Sequence, residues 1–192
     1  MDKLIYTVIA FVIGIWLWME YFREIPHLAQ QGVLNNFKVE TIEPLQLQAI
    51  VLDKQFVRPA RRTIHPASPV VGSFDDLAYL SNVDVLLSTS ALPNLNGKLL
   101  FDDEKRCFKF EGTLDLSNQN WLQQHVQQLS LIAANKEVSK VMRRLKTGQS
   151  VTFIGDFVNA RSAKTSTVYA VGQTSTYAAS CRLFRVTQIV IH

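Results

Sequence analysis

Cysteine is scarce in this chain: Cys107 and Cys181 are its two, far apart and without a C-x-x-C spacing. A zinc ribbon and a thioredoxin-like redox pair are therefore excluded, because both need closely spaced thiols. Three roles stay open for the pair: small buried apolar residues, a bridge joining two strands, or a reactive thiol. Excess charge is lacking as well, at +4 from 20 basic and 16 acidic side chains over 192 residues. That balance favours solubility, but it is not the dense basic stripe with interleaved aromatics of a nucleic-acid binder.

Chemistry-bearing motifs are missing too. The histidines His27, His65, His125 and His192 nowhere fall at ligand spacing. No H-E-x-x-H, G-x-S-x-G, phosphate-binding loop or dinucleotide-binding glycine pattern occurs. The acidic run Asp102-Asp103-Glu104 lacks the alternating oxygens, the glycine and the distal glutamate of a calcium loop. Ser175 or Ser180 with His125 and Asp156, or Cys181 with His125, make trios and pairs on paper only. Nothing local activates either kind of nucleophile. The sequence thus points to no metal, no cofactor and no enzyme. Internal repeats and low-complexity segments are also lacking.

What is present begins at the N-terminus. Residues 4–19 carry no charge and read LIYTVIAFVIGIWLWM. As a helix this run spans roughly 24 Å. With Tyr21 and Phe22 it approaches the ~30 Å hydrocarbon thickness of a bilayer. Trp16, Trp18, Tyr21 and Phe22 cluster at its far end, where an aromatic belt meets the membrane–water boundary. A cleaved signal peptide needs a pair of small residues after the apolar run. Here the run continues Glu20-Tyr21-Phe22-Arg23-Glu24-Ile25-Pro26. No cysteine follows for lipid attachment. The expected organisation is a single-pass signal anchor over residues 1–23, a spacer over 24–36, and a β-rich domain over 37–192 outside the cytoplasm. A short N-terminal tail before a long translocated domain places the N-terminus in the cytoplasm and the domain in the periplasm or its equivalent.

From Phe37 the pattern turns to period two. Leu45, Leu47, Ala49 and Val51 alternate with Gln46, Gln48, Ile50 and Leu52, the mark of a strand with one buried face. Pro44 is expected to set its start. Residues 58–72 hold three prolines and the cations Arg58, Arg61 and Arg62, a loop suited to anionic contacts or simply to solvent. Ser73 before Asp75 and Asp76 suggests one or two helical turns to Leu80. Val83, Val85 and Leu87 read as a strand. Asn96-Gly97 is a local hairpin cue, and residues 102–105 make the tip of a second hairpin. Residues 118–146 read as the main helical stretch, with Gly148 as its cap. Its polar side carries Lys136, Lys140, Arg143, Arg144 and Lys146. Residues 150–158, with a bend at Gly155, then 167–171 and 181–191 close the chain as strands.

The segment Leu131-Ile132-Ala133-Ala134-Asn135, the strand from Leu145 to Gly155, Thr174-Ser175, and Ala179-Ser180-Cys181 leading to Val186 form a pattern. So does the earlier Ala67-Ser68-Pro69-Val70. Together they resemble uncharacterised bacterial single-pass membrane-anchored proteins with a small extracytoplasmic β domain. The likeness covers roughly residue 45 to the C-terminus. Ser130, Tyr177, Ala178 and Arg182 stand where that pattern carries other residues. The resemblance implies architecture and compartment, namely a bacterial inner membrane, and no activity.

The expected fold is α+β, mainly β: a transmembrane helix, then a small, partly open, OB-like β-barrel with a packed helix. The expected function is a non-enzymatic interaction module, an accessory or assembly subunit of a cell-envelope complex. Its partners are membrane lipid, through the helix, and a protein. The alternative is a binding domain for an anionic ligand (lipid headgroup, glycan or nucleic acid, the last the least favoured). That reading would use Arg58, Arg61, Arg62, Lys136, Lys140, Arg143, Arg144 and Lys146.

Overall fold

One long strand, β1 (Phe37–Phe56, 20 residues), sets the architecture by serving two neighbours. A computed structural model describes residues 2–21, 25–30, 32–58, 76–102, 105–171 and 181–192, with the side chains of the first helix over 4–15. The helices are α1 (Asp2–Tyr21), α2 (Val33–Asn36), α3 (Leu116–His125) and α4 (Lys136–Arg144). The remaining strands are β2 (Val83–Ser88), β3 (Gly97–Asp102), β4 (Cys107–Gly112), β5 (Val126–Ala133), β6 (Ser150–Ser162), β7 (Val168–Tyr169) and β8 (Cys181–Ile191). The chain is mainly β, with helices packed on the sheet.

Residues 37–50 of β1 pair with β6, and residues 50–56 pair with β2, both antiparallel. The sheet runs β1-β2-β5-β8-β6-β7, and β1 also pairs with β6, so the order returns to its first strand. β5 and β8 are parallel. A separate two-stranded sheet is the β3–β4 hairpin.

The alternation in β1 turns Ala49 and Val51 inward to meet Val83, Val85 and Leu87 of β2, Leu129 and Leu131 of β5, Phe153 and Phe157 of β6, and Phe184 of β8. Phe157 and Phe184 meet edge to face at 5.4 Å, the arrangement aromatic quadrupoles favour. Val138, Met142 and Leu145, on and just after α4, join the same cluster. Met142 is fully buried, and burying such a side chain contributes about 1.5–3 kcal/mol.

Several expectations need correction. Pro44 lies inside β1 rather than at its start, opposite Asp156 and beside a register shift between Thr41 and Glu43. Proline is tolerated there because, among the described residues, this half of β1 is paired along one side. Asn96-Gly97 does not link β2 to a hairpin partner, since β2 pairs with β1 and β5. Gly97 instead faces Gly112 across the open end of the β3–β4 hairpin. A Cβ on Gly112 would strike the Asn96 carbonyl oxygen, which explains the paired glycines.

The stretch 118–146 is not one helical region. It holds most of α3, all of β5 and α4. β5 reads VQQLSLIA and is buried at nearly every position. A strand covered on both faces loses strict alternation, and its apolar spacing fits a helix equally well. Residues 131–133 accordingly end a strand, and Asn135 caps α4 by accepting from the Val138 amide at 3.0 Å. Gly148 does not cap α4, which ends at Arg144 with Leu145 as its C-cap. It adopts a left-handed φ of 84° in the turn before β6 and donates its amide to Val51 at 2.7 Å.

Residues 25–30 and 32–36, within the expected spacer, pack onto the domain. Ile25 is 3% exposed and belongs to the main cluster, His27 bridges to Ala133, and Val33 is buried beside Phe37. The side chains of α1 behave oppositely: residues 4–15 are exposed without a break. Among the described residues, no helix is long and apolar enough to cross a membrane.

Candidate functional site

The outer faces of β2 and β5 carry the most unusual chemistry. In β2 the apolar residues Val83, Val85 and Leu87 point to the core, so alternation turns Asp84 and Leu86 to the opposite side. There the β3–β4 hairpin covers them. Leu86, Phe108, Leu122 and Val126 form a buried cluster, with Leu52, Leu99, Phe101 and Trp121 packed against it.

Asp84 is fully buried, and Arg106 is nearly so. Arg106 Nε donates to Asp84 Oδ2 at 3.0 Å, and its Nη2 donates to Oδ1 at 2.7 Å. This is the two-pronged geometry that makes arginine–carboxylate pairs strong. The same Nη2 reaches the Ser81 hydroxyl at 3.3 Å. Burial pushes the Asp84 carboxyl up from its ordinary value, while the Arg106 charge, its hydrogen bond and the Ser130 hydroxyl pull the other way. Arg106 itself holds a left-handed φ of 51°. That backbone costs about 1–2 kcal/mol for an L-residue, and the buried ion pair is what it serves.

Gln128 of β5 completes the junction. Its amide nitrogen donates to the Arg106 carbonyl at 2.7 Å, and its amide oxygen accepts from the Phe108 amide at 2.6 Å. One side chain thereby stands in for a strand partner on both sides of Cys107. Cys107 is bonded to Cys181 at the start of β8, with Cα atoms 5.8 Å apart. The ion pair, the glutamine and the disulfide fasten the hairpin to three different strands.

This arrangement is structural in character. Arg106 Nε and Nη2 are turned on Asp84 and Ser81, while its Nη1 is buried without a hydrogen-bond partner. Of the histidines, His125 packs at a tilt against Trp121 with ring centroids 5.0 Å apart, and His192 meets the Thr152 hydroxyl at 2.9 Å. His65, Ser175 and Ser180 lie outside the described residues. Asp156 is engaged by Arg185 at 2.6 Å. Among the described residues, no group of acidic, histidine or cysteine side chains could hold a metal ion.

The cationic residues divide into two places. Arg58 follows β1 and is exposed, whereas Arg61 and Arg62 lie outside the described residues. Lys136, Lys140, Arg143, Arg144 and Lys146 lie together on and just after α4. At 100° per residue, the four within the helix occupy an arc of about 100°, roughly opposite the buried Val138 and Met142. Glu137 pairs with Lys140 at 3.1 Å. Beneath the C-terminus of α4, Lys54 Nζ donates to the carbonyls of Arg143 and Leu145 at 2.9 and 2.5 Å, and burial lowers its pKa. This lysine supplies the cation that a helix C-terminus favours.

Sequence reasoning identified the α4 cations and both cysteines, and missed Asp84, Arg106 and Gln128. The signal for Asp84 was a carboxylate inside Val83-Asp84-Val85-Leu86-Leu87, where an unpaired charge would be very costly. Its partner, 22 positions away, has no local mark. Compared with protein-family models, with curated proteins and with solved structures, the chain matches none.

Proposed function

We propose that this protein is a membrane-anchored interaction module: α1 resides in lipid, and the β domain docks a protein partner on the extracytoplasmic side. One observation carries the reading. Residues 4–15 of α1 carry no charge, are apolar on every side of the helix apart from Thr7, and are all exposed. Leu4 and Tyr6 are each 72% exposed and Phe11 is 68% exposed. A helix apolar on all sides must be buried in something. The domain's own core is already filled from the other elements, which leaves hydrocarbon as the natural surround. The described part of α1 does not by itself suffice to cross a bilayer; the reading rests on the uncharged sequence continuing it through Met19.

On this reading the circuit β1-β2-β5-β8-β6 is a small barrel of OB type, with α4 closing one end. Its compartment is an oxidising one, such as the periplasm of a bacterial cell, where a bond between Cys107 and Cys181 persists. Barrels of this type commonly bind oligonucleotides on the face of their second and third strands. Here those strands are β2 and β5, and the hairpin and α3 cover that face. This favours a protein partner over nucleic acid. No reaction is assigned.

Alkaline carbonate extraction of membranes holding the full chain tests the anchor. The wild type is expected in the pellet. Ile9→Lys with Val12→Lys, which puts two charges into the apolar run, is expected in the supernatant, because each costs about 2.5–3.5 kcal/mol at a helix centre. Release of the wild type by carbonate would refute the reading.

A further inference from the structure

The point where α1 joins the domain has a consequence for α4. Ile25 is buried in the cluster that contains Val138, Met142 and Leu145. The Leu28 amide donates to the Ala133 carbonyl at 2.9 Å, and α4 begins three residues after Ala133. The chain therefore enters the domain at the end that α4 covers. Only residues 22–24 separate Tyr21, the end of α1, from Ile25. Four residue steps span at most about 14 Å. Whatever surface α1 leaves, the α4 end of the domain is held close to it.

We infer that the cationic face of α4 is a contact surface for anionic lipid headgroups. The inference rests on the membrane-anchor reading, and it names what the domain does where it meets the bilayer. Lys136, Lys140, Arg143, Arg144 and Lys146 share one side of the helix and its exit. The acidic groups nearby are few. Glu137 is on α4 itself and pairs with Lys140, and Asp53 of β1 accepts from the Lys54 backbone amide and from the Gln55 side chain. Glu20 and Glu24 flank Arg23 in the tether sequence. Cations dominate the face, and a cluster of lysine and arginine next to a membrane helix draws acidic lipid within a Debye length of the surface. Val138 and Met142 face the core, so α4 does not insert. It rests on the headgroups through charge while its apolar side seals the domain. The arrangement fixes the domain's orientation: α4 toward the lipid, and the Gly97/Gly112 end of the hairpin at the opposite end of β5.

The test is amine footprinting of the full chain in vesicles, with a membrane-impermeant acylating reagent and mass spectrometry. One set of vesicles is phosphatidylcholine alone; the other contains one part in three phosphatidylglycerol. Lys140 and Lys146 are read against Lys98, at the far end of the hairpin. Their labelling rate is expected to fall about fivefold or more in the acidic vesicles. Lys98 is expected to stay unchanged, and 0.5 M salt to abolish the difference. A K140Q/R144Q/K146Q variant, with its disulfide intact by non-reducing electrophoresis, is expected to lose the protection of Lys136. Equal labelling of Lys140 and Lys146 in both vesicles would overturn the inference, and so would protection that salt leaves untouched. Retention of the protein on both vesicles in those cases would leave the anchor reading standing. Loss of the protein from both vesicles would remove the anchor reading and this inference together.

Discussion

Asp84→Ala and Arg106→Ala should each destabilise the domain far more than an ordinary surface change. Asp84 has no exposure and the Arg106 side chain has 10%, so either substitution strands a charge in the interior. Breaking a buried pair by removing one partner costs about 3–5 kcal/mol. Total domain stability is typically about 5–15 kcal/mol, so each single change removes a large share of it. Replacing both at once, as Asp84→Leu with Arg106→Met, removes the desolvation cost along with the attraction. Such exchanges are often neutral or stabilising by about 1–4 kcal/mol. The assay is urea unfolding of the full chain in detergent, followed by Trp121 fluorescence. Of the three tryptophans, Trp121 is the one in the domain; Trp16 and Trp18 lie in α1. The signature is strong non-additivity, with the double variant close to the wild type. Either single variant within about 1 kcal/mol of the wild type would refute the reasoning, and so would a double variant whose cost equals the sum of the singles.

Other outcomes follow from the same geometry. Cys107→Ala with Cys181→Ala opens a link across 74 positions and should cost about 4 kcal/mol by the chain-entropy relation, read as a lower melting temperature that reductant no longer changes. Gly155→Ala would drive a Cβ into the Arg185 carbonyl oxygen and should cost about 1–3 kcal/mol, whereas Gly14→Ala meets nothing within 4 Å and should leave urea unfolding unchanged. Asn135→Ala removes the cap of α4 and should cost about 1 kcal/mol, measured in the same unfolding assay.

The parts of the fold that were legible are those whose pattern is local. β8 lies within its expected bounds at Cys181–Ile191, because its apolar residues follow a break in composition. The bend at Gly155 coincides with a register shift between β6 and β8, as an isolated glycine inside a strand suggests. β5 was not legible, since both its faces are covered and burial erases period two. Pro44 misled because whether proline starts or merely interrupts a strand depends on a neighbour that the local sequence does not contain. The buried junction was hidden for the same reason. Arg106 reads as an ordinary cation just after the hairpin tip until β2 is seen to place Asp84 beneath it. The α4 cations were visible as a charged helix face. Their position at the chain's point of entry became visible only when Ile25 was found inside the core.

Protease accessibility in a bacterial host addresses the central claim most directly. Proteinase K is added to intact spheroplasts carrying the full chain with an epitope after His192. The account expects the epitope to be destroyed from outside while a cytoplasmic marker survives, with the chain sedimenting with membranes before digestion. An epitope that persists until the spheroplasts are lysed, or a chain that stays in the soluble fraction, would contradict it.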